Sequence, residues 1–370
     1  MLSKDCQEEV FTFELDRMMP HIDRVISRVP AFGEVGIKDI YNGAIAYTPD
    51  GNPIVGPAPG LKNFWLNEGH SFGITAAGGA GWQLAEWIVD GEPTVDMMGV
   101  DPRRFGPYAT RGYLKEKNEE AYANVFTTHY PDEERSAARP LKTAPCYDRM
   151  KALGAVFGSV YGWERPNWFM PSLDYSLSAE ELNQEDPEKV FLNKNHSKAL
   201  EDGRIVEKNS FRRSNYFEHV GNECKHVNEK VGLLDMSAFA KCIIKGPGAE
   251  GWLESIFANK MPQTIGRISL VHMLSLNGGV RAEFTVYKPG PQSYYLVSAG
   301  AFETHDHDYL CKLAPKDGSV SIQRVTTQTG VLVLAGPRSG DVLHTRTEAE
   351  MSTDNFTCLQ GKKINDGYAH

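Results

Sequence analysis

The sequence has no uninterrupted apolar run approaching the ~18 residues that a membrane-crossing helix needs. Its longest uncharged stretch, 71–85, is rich in Gly and Ala and ends at Glu86. The N-terminus carries Lys4, Asp5, Glu8 and Glu9 without an apolar segment, so no signal peptide is expected. Cysteine is sparse: Cys6, Cys146, Cys224, Cys242, Cys311 and Cys358 are scattered, and none forms a C-x-x-C pair. That usage predicts reduced thiols in a reducing compartment. Positive charge is in deficit, with 39 Lys plus Arg against 48 Asp plus Glu and a net charge of -9. An acidic balance excludes a general nucleic-acid binder, which needs a basic face for phosphates. It leaves room for a small anion in a local pocket. No repeat at a solenoid period is found.

What is present is a folded composition, 41% hydrophobic and 24% charged over 370 residues. That length suits two or three domains of about 100–200 residues each. The first hundred residues read as mixed α/β. A 3.6-residue period runs over 6–29, with Pro20 and Pro30 expected to break it. Residues 41–47 alternate weakly before the turn Thr48-Pro49-Asp50-Gly51. A buried strand is expected over 61–67, with Phe64, Trp65 and Leu66 in a row, then a helix over 74–89 closed by Gly91. Residues 101–141 are charged and aromatic and read as a linking segment, with a surface helix over 115–125 and a polar connector over 131–140. Residues 180–207 read as a polar surface loop with one short helix. Beyond Phe211, strands are expected over 231–236, 241–245, 281–287, 294–298, 319–325 and 331–335. Helices fall between them over 249–258, 302–313 and 338–343.

Three short motifs invite a function. Gly246-Pro247-Gly248-Ala249-Glu250-Gly251 spells G-x-G-x-x-G between a strand and a helix. Pro247 removes a backbone N–H from that turn, Glu250 sets a negative charge where phosphates would sit, and no acid follows ~20 residues on. A plain strand–turn–helix connection is expected. Gly69-His70-Ser71-Phe72-Gly73 spells the G-x-S-x-G of a nucleophile elbow, which would make Ser71 a hydrolase nucleophile. Too little chain precedes it for the strands and oxyanion loop such an enzyme needs. His305-Asp306-His307-Asp308 gathers four metal-ligating side chains, but neighbours on a helix do not face one another. A solvated helix start is expected there, and no metal site is assigned.

Several segments in order resemble a known family. They begin with Tyr47-Thr48-Pro49-Asp50-Gly51-Asn52-Pro53-Ile54-Val55-Gly56-Pro57, Asn63-Phe64-Trp65-Leu66 and Gly69-His70-Ser71-Phe72-Gly73-Ile74. Trp87-Ile88-Val89-Asp90-Gly91-Glu92-Pro93, Asp101-Pro102-Arg103-Arg104-Phe105 and Gly162-Trp163-Glu164-Arg165-Pro166-Asn167-Trp168-Phe169 follow. Val231-Gly232-Leu233-Leu234-Asp235-Met236-Ser237, Phe257-Ala258-Asn259 and Gly278-Gly279-Val280-Arg281-Ala282-Glu283-Phe284-Thr285-Val286 complete the set. The chain resembles dimethylglycine/sarcosine dehydrogenase-type flavoproteins, which join a glycine-oxidase-like FAD domain to a folate-binding module similar to the glycine-cleavage T-protein, an aminomethyltransferase.

The resemblance implies an α+β, mixed α/β chain in three parts: the C-terminal part of an FAD domain over 1–97, a linking domain over 98–155, and the first part of a T-protein-like domain over 156–370. It implies oxidation of an N-methyl group on a small amino acid, dimethylglycine or sarcosine, with FAD, and transfer of the one-carbon unit to tetrahydrofolate. An electron acceptor such as an electron-transfer flavoprotein would be a partner. The location would be cytoplasmic in a bacterium and the mitochondrial matrix in a eukaryote. Nothing before Tyr41 reads as the βαβ unit that binds FAD pyrophosphate in such proteins, so an internal fragment is expected. A folate-binding module without catalysis is the alternative.

Two sets of site residues follow from the resemblance. Gly69, His70, Ser71, Phe72, Gly73, Ile74 and Thr75 would run beside the flavin ring. A helix N-terminus stabilises negative charge on reduced flavin, and glycine permits close approach. Ala282, Glu283 and Phe284 would meet the folate, with Glu283 assisting proton transfer as catalytic acid or base. By alternation, Arg281, Glu283 and Thr285 are expected to share one face of a strand.

Overall fold

Trp87, 3% exposed, is the piece on which the segments 54–68 and 102–103 come together. In the computed structural model, which describes residues 15–183, 197–352 and 354–364, the first described element is helix α1 (Leu15–Arg28). Pro20 lies inside α1 and does not end it, contrary to expectation; the lost N–H removes a single hydrogen bond near the start, and the helix stops before Pro30. No strand forms over 41–47. Strands β1 (Ile54–Pro57) and β2 (Trp65–Glu68) form an antiparallel hairpin. The expected burial of 61–67 fails, since Phe64 is 54% exposed. Helix α2 (Gly73–Asp90) follows and ends at Gly91 with φ 84°. Gly56 has φ +139°, and a Cβ there would come within 2.9 Å of the Trp87 ring. Glycine is therefore what lets the hairpin lie on α2. Trp65 meets Trp87 edge-on, and the Arg103 guanidinium lies 5.6 Å from the Trp87 ring centroid.

The linking segment carries α3 (Arg111–Asn124), capped by Thr110, and α4 (Tyr147–Ala152). A hairpin of β3 (Ala155–Val160) and β4 (Trp163–Phe169) comes next. The short helix α5 (Ala179–Asn183) precedes a second hairpin, β5 (Ser197–Ala199) and β6 (Ile205–Lys208). This corrects the reading of 180–207 as a surface loop: Val206 is fully buried against Val156 and Trp168. Trp168 Nε1 donates to Glu207 at 2.6 Å, and its ring stacks on Tyr216 and on His219 of α6 (Phe217–Glu229). One apolar cluster with a satisfied indole thus pins a polar stretch. Asn193, Lys194, Asn195 and His196 lie outside the described residues.

The remaining elements are β7 (Gly232–Asp235), β8 (Ala240–Lys245), α7 (Ala249–Ile256), β9 (Ile268–Leu274), β10 (Val280–Gly290), β11 (Ser293–Ser298), α8 (Glu303–Leu313), β12 (Ser321–Arg324), β13 (Leu332–Ala335) and α9 (Ser339–His344). Five strands form an antiparallel sheet in the order β12-β8-β11-β10-β9, while β13 pairs with β7. Alternation sorts the sheet. Ile244, Val271, Met273, Phe284, Val286, Tyr294 and Leu296 point to one face, under Trp252 and Leu253 of α7 and Leu310 of α8. Fully burying one such side chain contributes about 1.5–3 kcal/mol. The turn from β8 to α7 uses Gly246 at φ +132°, where a Cβ would collide with the Ser319 carbonyl. Close packing of the strand–turn–helix against Ser319 accounts for Gly246 and Gly248, while nothing lies within 4 Å of a Cβ added at Gly251.

Candidate functional site

The other face of the five-stranded sheet carries the first candidate site. Glu283 on β10 lies directly opposite His272 on β9. The Glu283 side chain is 58% exposed, and its Oε2 stands 3.0 Å from His272 Nε2. His272 is fixed from behind by Asn259, whose Oδ1 accepts from the His272 backbone N–H at 2.9 Å and lies 3.1 Å from Nδ1. Thr285 continues this face, opposite Leu270 on one side and Val297 on the other. Val297 in turn is opposite Lys241, whose buried ammonium donates to the Ser237 carbonyl at 2.8 Å. Burial holds that ammonium below its ordinary pKa. The result is a carboxylate–imidazole pair on an open sheet face, in reach of a ligand laid across the strands. Such a pair can hold or move a proton.

Ala282 and Phe284 turn the opposite way. Phe284 is 2% exposed and meets Phe257 edge-on, and Ala282 packs on the same core. They support Glu283 from behind.

Arg281 leaves the expected face. The β9–β10 register slips between Val280 and Ala282, and this bulge re-aims the side chain. Its guanidinium lies 3.8 Å from the Tyr309 ring centroid on α8, and Nη1 meets Glu92 at 3.2 Å. Glu92, 7% exposed, also accepts the Leu276 N–H at 2.7 Å. The stretch after α2 is thereby tied to the hairpin that carries His272 and Glu283.

The second candidate site is the turn into α2. Gly69 has φ +70°, and a Cβ there would come within 2.7 Å of Thr48 Cγ2. His70 Nε2 meets Asn67 Oδ1 at 2.7 Å, while its buried Nδ1 has no partner among the described residues. Phe72 precedes the helix without a side-chain cap, so the first-turn N–H groups at Gly73, Ile74 and Thr75 lack side-chain acceptors. Ile74 is fully exposed, and a Cβ built at Gly78 or Gly79 meets nothing within 4 Å. Uncapped N–H groups, an orphaned buried ring nitrogen and open space suit a flat, electron-rich group such as a flavin. Among the described residues, no base hydrogen-bonds to the Ser71 hydroxyl, which removes the support for a serine hydrolase. Among the described residues, no hydrogen bond, ion pair or ring contact joins this turn to Glu283.

The acidic run on α8 is structural. Asp306, 3% exposed, accepts from Ser298 Oγ at 2.9 Å, and Asp308 pairs with Arg103 and Lys312. The expected solvated helix start is therefore corrected: these acids are internal partners. Sequence reasoning missed His272, because the alternation of β9 went unread, and missed Glu92 and Arg281, whose pairing spans 189 residues.

Helices and antiparallel strands make this an α+β, mixed α/β chain whose larger part is built round one five-stranded sheet. The chain belongs to the GCVT N-terminal domain family, whose model matches residues 146–370. The FAD dependent oxidoreductase central domain matches 90–144, and the FAD dependent oxidoreductase domain matches 5–87. Mitochondrial dimethylglycine dehydrogenase of Mus musculus is 36% identical over 361 residues, 97% of this chain and 38% of that protein. Mitochondrial sarcosine dehydrogenase of Mus musculus is 30% identical over 94% of this chain and 39% of its own length. The 4-methylaminobutanoate oxidase (formaldehyde-forming) of Paenarthrobacter nicotinovorans is 27% identical over 92% of this chain and 38% of its own length. This chain thus spans under two fifths of the length of these relatives. Among the described residues no helix is long and apolar enough to cross a membrane.

Proposed function

We propose that this chain serves flavin-dependent oxidation of a small N-methyl amino acid, dimethylglycine or sarcosine, and that its 156–370 part handles tetrahydrofolate at Glu283. The observation that carries this reading is a carboxylate on an open sheet face, paired with His272 at 3.0 Å, in a chain of the GCVT family. FAD, when bound, takes the electrons from the amine. Gly69 to Thr75 would hold it, with the uncapped N–H groups of α2 facing the electron-rich ring and His70 Nδ1 supplying a hydrogen-bonding atom. Glu283 would hold or move a proton at a folate nitrogen while the one-carbon unit is transferred, with His272 keeping the carboxylate in place. The division into 1–97, 98–155 and 156–370 belongs to the same proposal, as does an electron acceptor such as an electron-transfer flavoprotein.

The test is anaerobic calorimetric titration of tetrahydrofolate into the chain and into Glu283→Gln. Gln keeps size and an oxygen but loses charge and basicity. Loss of one charge-assisted hydrogen bond predicts weaker binding by about ten-fold or more, with an unchanged circular dichroism spectrum. Equal affinity in the two proteins would refute the role of Glu283. No binding to the unaltered chain would refute the folate reading itself.

A further inference from the structure

A cleft of ≈ 440 Å³ opens between the linking segment, the turn of the β3–β4 hairpin and the start of α8. None of Gly69 to Thr75 lines it, and neither does Glu283. Its wall holds two cations, Lys142 and Arg324, that form no ion pair among the described residues. Lys142 Nζ stands 4.6 Å from the Tyr108 ring centroid and 5.5 Å from that of Trp163, and no hydrogen bond from it is found among the described residues. Burial pulls this ammonium below its ordinary pKa, and Glu303 is the acid that opposes the shift. Arg324, exposed at the end of an edge strand, forms no ion pair within reach among the described residues. Arg104 also lines the cleft, but Asp50 and the Asn52 carbonyl already occupy its guanidinium.

A third donor is idle as well. Trp163 is 3% exposed, and its buried Nε1–H has no acceptor among the described residues. A buried N–H left unpaired costs about 1–3 kcal/mol, so a site that tolerates it invites an acceptor. Tyr161 and Gly162 form the two-residue turn of the β3–β4 hairpin, with φ 50° and 80° as a type I′ turn requires. That turn sets the Tyr161 side chain, 64% exposed, on the cleft wall.

We propose that this cleft binds a small organic monocarboxylate, its carboxylate taken by Lys142 and Arg324 and its apolar or planar body laid against Tyr108, Tyr161 and Trp163. The unpaired donors ask for an anion, in a chain whose overall charge is -9. Glu303 in the same wall disfavours a second negative charge, which argues against phosphate and dicarboxylates. The volume and three aromatic rings ask for more than an inorganic ion. The inference does not depend on the flavin or folate readings.

Benzoate is the probe. It is titrated into the whole chain by calorimetry and followed by the indole N–H signals in 1H–15N spectra, the Trp163 signal being the one lost in Trp163→Phe. Benzoate should bind one to one and move that signal. Lys142→Met and Arg324→Gln should each weaken binding about ten-fold or more, and neutral benzamide should bind at least about ten-fold more weakly than benzoate. Should Lys142→Met fail to fold, Arg324→Gln at an exposed position decides. A still Trp163 signal at millimolar benzoate, or unchanged affinity in the folded variants, would overturn the site. Inorganic phosphate binding as tightly as benzoate would overturn the ligand class.

Discussion

His272 Nε2 on β9 stands 3.0 Å from Glu283 Oε2 on β10, and the same ring is held by Asn259 through Nδ1. The pair is partly exposed, 33% and 58%, so its own contribution to stability is at most about 1 kcal/mol. Its value lies in orientation. Removing the imidazole in His272→Ala should leave folding intact and weaken tetrahydrofolate binding about two- to five-fold, less than Glu283→Gln does. Calorimetry on the two variants side by side checks the order. An equal or larger loss in His272→Ala would mean that the imidazole, not the carboxylate, meets the ligand.

The link between the first part of the chain and α8 has a different character. Arg103 and Asp101 are each 2% exposed and paired at 2.6 Å, and Arg103 reaches on to Asp308 at 2.9 Å. Arg103→Met would leave a buried carboxylate without its cation. The expected loss is about 3–5 kcal/mol in urea unfolding. The Lys151–Glu201 pair, at 49% and 84% exposure, is the control: Glu201→Gln should cost no more than about 1 kcal/mol. Similar small losses in both would show that Arg103 is not holding the parts together.

Stability should also respond to pH through His307. Burial holds this imidazole below its ordinary pKa, and Arg324 pushes the same way, against Asp308 and Glu303. The unfolded chain therefore binds a proton more readily than the folded one. The stability this confers is present above the ordinary histidine value of about 6.5 and is lost as pH falls toward the folded value. His307→Gln should flatten that loss between about pH 7 and pH 5, by no more than about 1.4 kcal/mol per pH unit. Urea midpoints at four pH values in both proteins measure it. Parallel curves would contradict the assignment.

Much of the fold was legible because its signals are local. The αL glycine at Gly91 closes α2, and alternation over 294–298 and 241–245 marks β11 and β8. What stayed hidden depends on distant partners. Val206 and Glu207 look like part of a polar loop until Trp168, 39 residues away, covers one and donates to the other. Phe64 looks like core until the hairpin turns it outward. At the site, Glu283 was readable as a strand acid, but its partner was not. Nor was the bulge that sends Arg281 to Glu92 and Tyr309, because one inserted residue reverses the alternation that a sequence pattern relies on.

The glycines around α2 divide into two kinds, and the difference can be measured. Gly69 has φ +70° and a Cβ position 2.7 Å from Thr48 Cγ2, so Gly69→Ala forces both backbone strain and a clash. A loss of about 1–3 kcal/mol is expected. Gly78, Gly79 and Gly81 lie in the helix interior with nothing within 4 Å of an added Cβ. Each costs the helix about 1 kcal/mol relative to alanine, and no contact among the described residues offsets it. Gly78→Ala should therefore stabilise the chain by about 0.5–1 kcal/mol, read as a higher urea midpoint at constant slope. A loss instead would show that this face of α2 is covered in solution and that the glycine makes room for what covers it.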